Sequence, residues 1–434
     1  MKRVSSSQLL PVLLGAAIAA AGWMQGLQWR QDSGTAGAVD SVEVVALQQQ
    51  VDQLTKENEA LRSLAQGGGE FSVPPELVAR VEKQLGLSFV STPVIHRLAG
   101  EELRDRVKAS LEARYGEGGL EDRQKAYQFI GWLGVEDNLA GQLAALRAVG
   151  ARAWFDEVSG EGWVTDRFQL ANVPDQASLL RVLARILLEQ HYPLAKGRIW
   201  DDALRARDAL HSGVAAGVEA KFFQDNARAI GFMSLTQDTE ASQLLLSLPP
   251  FIQGWSSFLG IEGKTYADQL VLKGREALVK KLQDPPQKTA EVIFLFERDL
   301  PDRRVALPET PGEVVLEDHG GALGLRLWLD ALGDVQASRD LAEAWLHDQW
   351  RLFATDDRTH HVVWCIELRD QAAADEASAA FCALGAAIAD KPDDLTVGQA
   401  VNAPDGTWLR IDRVSLTSLR LTRTSSEKVM QAIR

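Results

Sequence analysis

The feature that most constrains the fold is a strongly apolar stretch from Leu179 to Tyr192. Its apolar residues at positions 179, 180, 183, 186 and 187 follow the i, i+3/i+4, i+7 spacing of a helix with a buried face. Arg181 and Arg185 interrupt this pattern four residues apart, so on a helix they point in the same direction. The stretch therefore predicts a buried helix that presents two arginines on one side.

A second stretch, Ala209-Leu210-His211-Ser212-Gly213, follows it in the chain. Together with Gln190-His191-Tyr192, this pair of segments resembles a family of predicted zinc metallopeptidases of the gluzincin kind. In that family, His-Glu-x-x-His on one helix binds zinc and is followed by Gln-His-Phe. A later Ala-Leu-x-Glu-Gly supplies a glutamate as the third ligand. The resemblance implies that both helices face a former metal site.

Four positions of the family site are replaced in this chain. Aligned on Gln190-His191-Tyr192, Arg181 stands for the first histidine, Val182 for the catalytic glutamate and Arg185 for the second histidine. Aligned on Ala209-Leu210 and Gly213, Ser212 stands for the glutamate ligand. Because arginine has no acceptor atom and valine cannot transfer a proton, we expect no zinc, no other cofactor and no catalytic residue here.

The resemblance extends over roughly residues 75–385. Pro285-Pro286-Gln287-Lys288-Thr289 resembles the start of a Pro-Pro-x-x-Thr signature, and Trp345 and Asp348 are kept from an Ala-x-Gly-Trp-x-Gly-Asp pattern. Two strand-like segments, 151–156 and 162–165, precede the apolar helix as a hairpin. The resemblance implies that this hairpin forms the upper rim of a peptide cleft.

The N-terminus is predicted to be a membrane segment. Lys2 and Arg3 precede a charge-free, mostly apolar run from Leu9 to Leu27, which is about long enough to span a bilayer. We interpret residues 1–30 as an uncleaved signal anchor, with the basic end in the cytoplasm and the rest exported. A cleaved signal peptide ending near Ala36-Gly37-Ala38 is the alternative.

A heptad pattern follows the membrane segment. Within residues 40–65, apolar residues alternate spacings of three and four, with the single polar Asn58 at an a position. Such an asparagine favours a parallel two-stranded coil, so a homodimer is expected; a lone amphipathic helix is the alternative. Gly67-Gly68-Gly69 lies in a predicted linker, residues 66–74, that separates this stalk from the body.

The body is predicted to be α+β and mainly helical. Residues 75–310 are expected to form a metallopeptidase-like helical domain with the short rim hairpin. Residues 311–434 are expected to form a small α+β domain, because segments 362–368, 408–414 and 418–423 are strand-like and 372–387 is an alanine-rich helix. Cys365 and Cys382 could form a disulfide in an exported body or remain buried thiols.

Four residues near the former metal site are candidate ligand-binding residues: Arg181, Arg185, His191 and His211. The two arginines could bind a carboxylate, such as a peptide C-terminus, in a bidentate manner. His191 and His211, with Glu189 and Glu219, could form a relocated metal site or could simply be hydrogen-bonded.

These observations predict a membrane-anchored pseudopeptidase whose body lies in the periplasm or at the cell surface. Its expected work is binding a protein or peptide partner as a scaffold, adaptor or regulator. An active hydrolase with a displaced metal site and a purely structural envelope protein are the alternatives. The formal net charge of −14 argues against a nucleic-acid partner.

Overall fold

The computed structural model describes residues 69–194, 200–227, 239–295, 305, 307–355, 359–390 and 395–433. The predicted anchor, residues 1–30, and the predicted coiled coil, residues 40–65, lie outside the described residues. Within the described ranges, no helix is both long enough and apolar enough to cross a membrane.

The described part of the predicted linker, residues 69–74, lies against the folded body. The Phe71 amide donates a hydrogen bond to the Ile95 carbonyl at 2.7 Å. The buried Phe71 ring meets the Phe168 ring edge-on, with centroids 5.4 Å apart. This segment differs from a flexible break because an aromatic side chain anchors it.

The first half of the body combines helices with a small sheet of order β1-β3-β2. Strand β1 runs parallel to β3, and β2 runs antiparallel to β3, so β2 and β3 are the hairpin that the sequence predicts. The elements are α1 (Pro75–Leu85), β1 (Ile95–Leu98), α2 (Leu103–Tyr115), α3 (Gly119–Ile130), α4 (Leu139–Ala148), β2 (Ala153–Asp156) and β3 (Glu161–Thr165).

Two long helices follow, α5 (Val173–His191) and α6 (Asp201–Asp225). Helix α5 confirms the apolar helix that the sequence predicts. It starts with Pro174 in its first turn, where the missing N–H breaks no hydrogen bond. Its Leu179 and Leu183 are fully buried in one core cluster with Ile95 of the small sheet.

Shorter helices follow α6: α7 (Thr239–Ser247), α8 (Pro250–Ser257), α9 (Gly263–Lys273), α10 (Arg275–Gln283) and α11 (Thr289–Phe294), with a π-helical turn at Phe258–Glu262 before α9. Of these, α9, α11 and the π-helical turn pack against α6. Helices α6 and α9 touch backbone to backbone. A Cβ atom on Gly213 would lie 2.0 Å from the Gly263 carbonyl oxygen, so only glycine permits this approach.

The last part holds a fully antiparallel sheet of order β4-β5-β6-β9-β8-β7 and its covering helices. The strands are β4 (Glu313–Asp318), β5 (Trp345–Ala354), β6 (His360–Leu368), β7 (Ala400–Asn402), β8 (Trp408–Arg413) and β9 (Ser418–Thr424). The helices are α12 (Gly321–Leu329), which a 3-10 turn (Asp330–Leu332) extends, α13 (Val335–Ala344), α14 (Gln371–Ile388) and α15 (Glu427–Ala432).

The hydrophobic core runs from the helices into the large sheet. Trp364 of β6 packs against Trp132, which follows α3, with ring centroids 5.3 Å apart. It also packs against Phe381 of α14, at 5.8 Å. The described residues from 69 to 433 form one compact unit of α+β class in which helices predominate, as the sequence predicts. The division near residue 310 coincides with the start of the large sheet and stays a prediction.

Candidate binding cleft

Helices α5 and α6, with the β2–β3 hairpin, line a cavity of about 430 Å³ that we term the arginine cleft. All four replaced positions of the resembled family, Arg181, Val182, Arg185 and Ser212, line it. The helical spacing of α5 brings the first three together, and α6 brings Ser212 to face them. The cleft is thus an open cavity with polar and apolar walls.

Arg185 is held at the base of the cleft by groups from α6. Its Nη1 donates a hydrogen bond to Ser212 Oγ at 2.5 Å, and its Nη2 lies 2.7 Å from Asp208 Oδ1. The guanidinium also stacks over the Phe155 ring at 5.1 Å. Because the side chain is only 8% exposed and is held by Ser212 and Asp208, Arg185 stabilises the helix pair and is a poorer candidate for binding a ligand than an exposed arginine.

Asp208 is the buried counter-ion of this arginine. Burial alone would raise its pKa, but Arg185, followed by Arg114 and Arg147, lowers the pKa of Asp208 to about 2. The carboxylate therefore stays ionised at all ordinary pH values. Sequence analysis did not single out Asp208, although its position one helical turn before Ser212 places both on the same side of α6.

Glu157, in the turn between β2 and β3, lies among three arginines. Its carboxylate contacts Arg114, lies 3.7 Å from Arg147 Nη1 and lies 3.8 Å from Arg185 Nη2. Burial has the largest effect on the pKa of the Arg147 guanidinium and lowers it. These contacts tie the hairpin to both α2 and α5. Sequence analysis did not single out Glu157, because a residue in a turn belongs to no periodic pattern.

Arg181 occupies a more open position. Its side chain is 44% exposed, and its Nη1 lies 3.4 Å from Glu219 Oε2 on α6. Burial raises the pKa of Glu219, and Arg181 acts against that rise. A long, partly exposed ion pair is weak. Arg181 is therefore the arginine of the pair that a ligand could reach.

The side chains at the other two replaced positions, Val182 and Ser212, are buried against neighbouring residues. Val182 is buried against β3, where a Cβ atom added to Gly162 would come 2.7 Å from Val182 Cγ1. Ser212 is buried and accepts the Arg185 hydrogen bond. Neither side chain offers a carboxylate to the cleft.

The two candidate histidines do not line the arginine cleft. His191 and His211 line a separate cavity of about 470 Å³, which shares no described lining residue with the cleft. His191 Nε2 lies 2.7 Å from the Ser88 carbonyl oxygen, whereas His211 is only 2% exposed. The four candidate residues thus line two different cavities. His191 is separate from Arg181 and Arg185 because position 191 falls on a different side of α5.

Within the described ranges, no group of three or more histidine, cysteine, aspartate or glutamate side chains is arranged to hold a metal ion. Cys365 and Cys382 are not joined by a disulfide. Burial raises the pKa of the Cys365 thiol to about 12 and also raises the pKa of Cys382, which disfavours the reactive thiolate form of both.

The other resembled motifs meet at the N-terminus of α12, away from the arginine cleft. Asp348 accepts hydrogen bonds from the Gly320 and Gly321 amides and from the indole N–H groups of Trp345 and Trp364, at 2.8–3.2 Å. Nearby, Thr289 Oγ1 donates to Asp202 at 2.5 Å and accepts from the Leu323 amide at 3.1 Å. These residues cap a buried helix end, so their role is structural.

No protein-family model, curated protein or solved structure matches this chain. The family resemblance therefore rests on the sequence motifs.

Proposed function

We propose that this protein is a catalytically inactive relative of gluzincin metallopeptidases that binds a peptide through a carboxylate group. The observation that carries the proposal is Arg181, a partly exposed guanidinium beside a cavity of about 430 Å³. Guanidinium groups recognise carboxylates through paired, charge-assisted hydrogen bonds. Such a ligand would compete with Glu219, whose contact with Arg181 is long at 3.4 Å.

The charge of the cleft supports an anionic ligand. Arg147, Arg152, Arg181 and Arg185 line it, against the three acidic residues Glu157, Asp208 and Glu219. The lining therefore carries one excess positive charge within a protein of net charge −14. A carboxylate would complete the pairing, whereas a cation would meet four guanidinium groups.

Strand β2 offers a second contact for a peptide. It is an edge strand of the small sheet, and Ala153 and Phe155 line the cleft. The Thr165 amide bonds to the Arg152 carbonyl at 3.0 Å, so the antiparallel alternation turns the backbone groups of Ala153 and Phe155 away from β3. An extended peptide could add to this edge as a further strand.

We also propose where in the cell the folded body lies and how it is held there. Residues 1–30 would anchor it in a membrane, residues 40–65 would pair two copies, and the body would present its cleft in the periplasm or at the cell surface. Binding, rather than hydrolysis, would then be its contribution as a scaffold or regulator.

The test uses a pooled library of N-acetylated pentapeptides in two forms, with a free C-terminal carboxylate or with an amide. Each pool is passed over the immobilised full chain, and retained peptide is quantified. We expect the free-acid pool to be retained about tenfold more than the amide pool, since a charge-assisted pair contributes about 1.5–3 kcal/mol.

Arg181→Ala should remove this preference, while Arg104→Ala, which alters an exposed arginine of α2, should keep it. Equal retention of both pools by the unaltered chain, or an acid preference that survives Arg181→Ala, would refute the proposal.

A further inference from the structure

The second cavity, of about 470 Å³, lies where the end of α5, the middle of α6 and the end of α10 meet. We term it the histidine cavity. Its walls include His191, Tyr192, Arg207, His211, Leu282 and Pro285. The volume is in the range of small-molecule sites in proteins. Nothing in the proposed peptide function uses it.

Arg207 is a cation without a carboxylate partner among the described residues. Its Nη2 donates to the amide oxygen of Gln287 at 2.5 Å, and its buried Nε has no hydrogen-bond partner. Burial lowers the pKa of Arg207, with no compensating acidic neighbour. An arginine beside a cavity, without a carboxylate partner among the described residues, leaves a positive charge that an anionic ligand could neutralise.

His211 adds a second unpaired polar group. It is 2% exposed, and its Nδ1 has no hydrogen-bond partner. Burial, with the nearby charge of Arg185, lowers the pKa of His211 to about 3. The imidazole is therefore neutral near pH 7, with one nitrogen that donates a hydrogen bond and one that accepts.

The rest of the lining decides the class of ligand. No described lining residue carries a carboxylate, and Arg207 is the one arginine or lysine among the described lining residues. Leu282, Pro285 and the Tyr192 ring supply apolar surface. A phosphate ester would bring about two negative charges against one guanidinium, whereas a carboxylate brings one. A metal ion would be repelled by the guanidinium and would find two imidazoles as nitrogen ligands but no carboxylate.

We propose that the histidine cavity binds a small organic acid, with its single carboxylate between Arg207 and His211 and its apolar body against Leu282 and Pro285. This site is independent of the peptide cleft. The carboxylate would neutralise the charge of Arg207, which has no carboxylate partner among the described residues.

The test titrates 3-phenylpropionate and its neutral amide, 3-phenylpropionamide, into the full chain by calorimetry. We expect saturable binding of the acid and at least about tenfold weaker binding of the amide. Arg207→Gln should weaken acid binding about tenfold, and Arg207→Lys should restore part of it because the charge returns. Arg104→Ala is the control for a general loss of positive charge.

A light-activated probe, 3-(4-azidophenyl)propionate, gives a readout that needs no variant. After illumination of the unaltered chain, labelled peptides should contain residues 191–194, 205–213 or 282–287. Equal affinity for acid and amide, undiminished acid binding by folded Arg207→Gln, or labelling confined to residues of the arginine cleft would overturn the proposal.

Discussion

Arg185 of α5 donates a hydrogen bond to Ser212 of α6 across 2.5 Å. In the resembled family these two positions would supply a histidine and a glutamate to one zinc ion. Here a direct contact between side chains joins the same two helices, and Asp208 neutralises the charge at 2.7 Å. An arginine–serine–aspartate cluster thus occupies the space between the helices.

Loss of the Arg185 side chain should destabilise the fold strongly. Arg185→Ala leaves Asp208 buried without its nearest cation, and breaking a buried ion pair costs about 3–5 kcal/mol. Arg181→Ala should cost less than about 1 kcal/mol, because its pair with Glu219 is long and partly exposed. Urea unfolding followed by circular dichroism measures both. Equal losses for the two variants would show that Arg185 does not anchor the helix pair.

Two glycine variants of α6 test its close backbone contact with α9. Gly213→Ala would place a Cβ atom 2.0 Å from the Gly263 carbonyl oxygen, so we expect a loss of about 1–3 kcal/mol or more. Gly217→Ala lies one turn later on the same helix and meets nothing within 4 Å. It should stabilise the protein by up to about 1 kcal/mol, since alanine favours helices. Thermal unfolding of the two variants separates packing from helix propensity; a Gly213→Ala protein as stable as Gly217→Ala would contradict this packing.

Protonation of His211 should limit stability in acid. In the unfolded chain a histidine takes up a proton near pH 6.5, but the pKa of His211 in the fold is lowered to about 3. A lowered histidine pKa means that the unfolded state binds more protons between these values, so stability falls as the pH falls through that window. The loss should reach about 2 kcal/mol at pH 5.

The comparison of the unaltered chain with His211→Gln isolates this effect from other buried groups. Among those, the pKa values of Asp202 and Asp318 are raised to about 7, mainly by burial, and they act in the opposite direction. The free energy of unfolding is measured at pH 7 and pH 5 for both proteins. The same pH dependence in both would mean that His211 is protonated in the fold.

The sequence predicted the elements whose pattern is local. The apolar period of α5, the hairpin β2–β3, the alanine-rich α14 and the last two long strands are all present where the pattern indicates them. The structure around Trp345 was harder to predict from the sequence, because α13 ends at Ala344 and β5 begins at the next residue. A motif that spans such a junction has no single period.

The long-range contacts could not be read from the sequence. Strand β1 pairs in parallel with β3 across the intervening helices α2–α4, and no turn signal links them. Likewise, Glu157 and Asp208 meet Arg185 only because the hairpin and α6 fold over α5. The spacing of Arg181 and Arg185 predicted a shared direction, but their unequal exposure depends on neighbours from other elements.

If Arg181, Val182, Arg185 and Ser212 replace the residues of a zinc site, restoring the family residues should restore zinc binding. Zinc is measured by elemental analysis of the purified full chain and of the variant Arg181→His/Val182→Glu/Arg185→His/Ser212→Glu. Because histidines at i and i+4 with a facing glutamate form a zinc site, the variant should hold one zinc ion per chain and the unaltered protein none. Stoichiometric zinc in the unaltered protein, or a folded variant without zinc, would show that these four positions do not replace a zinc site.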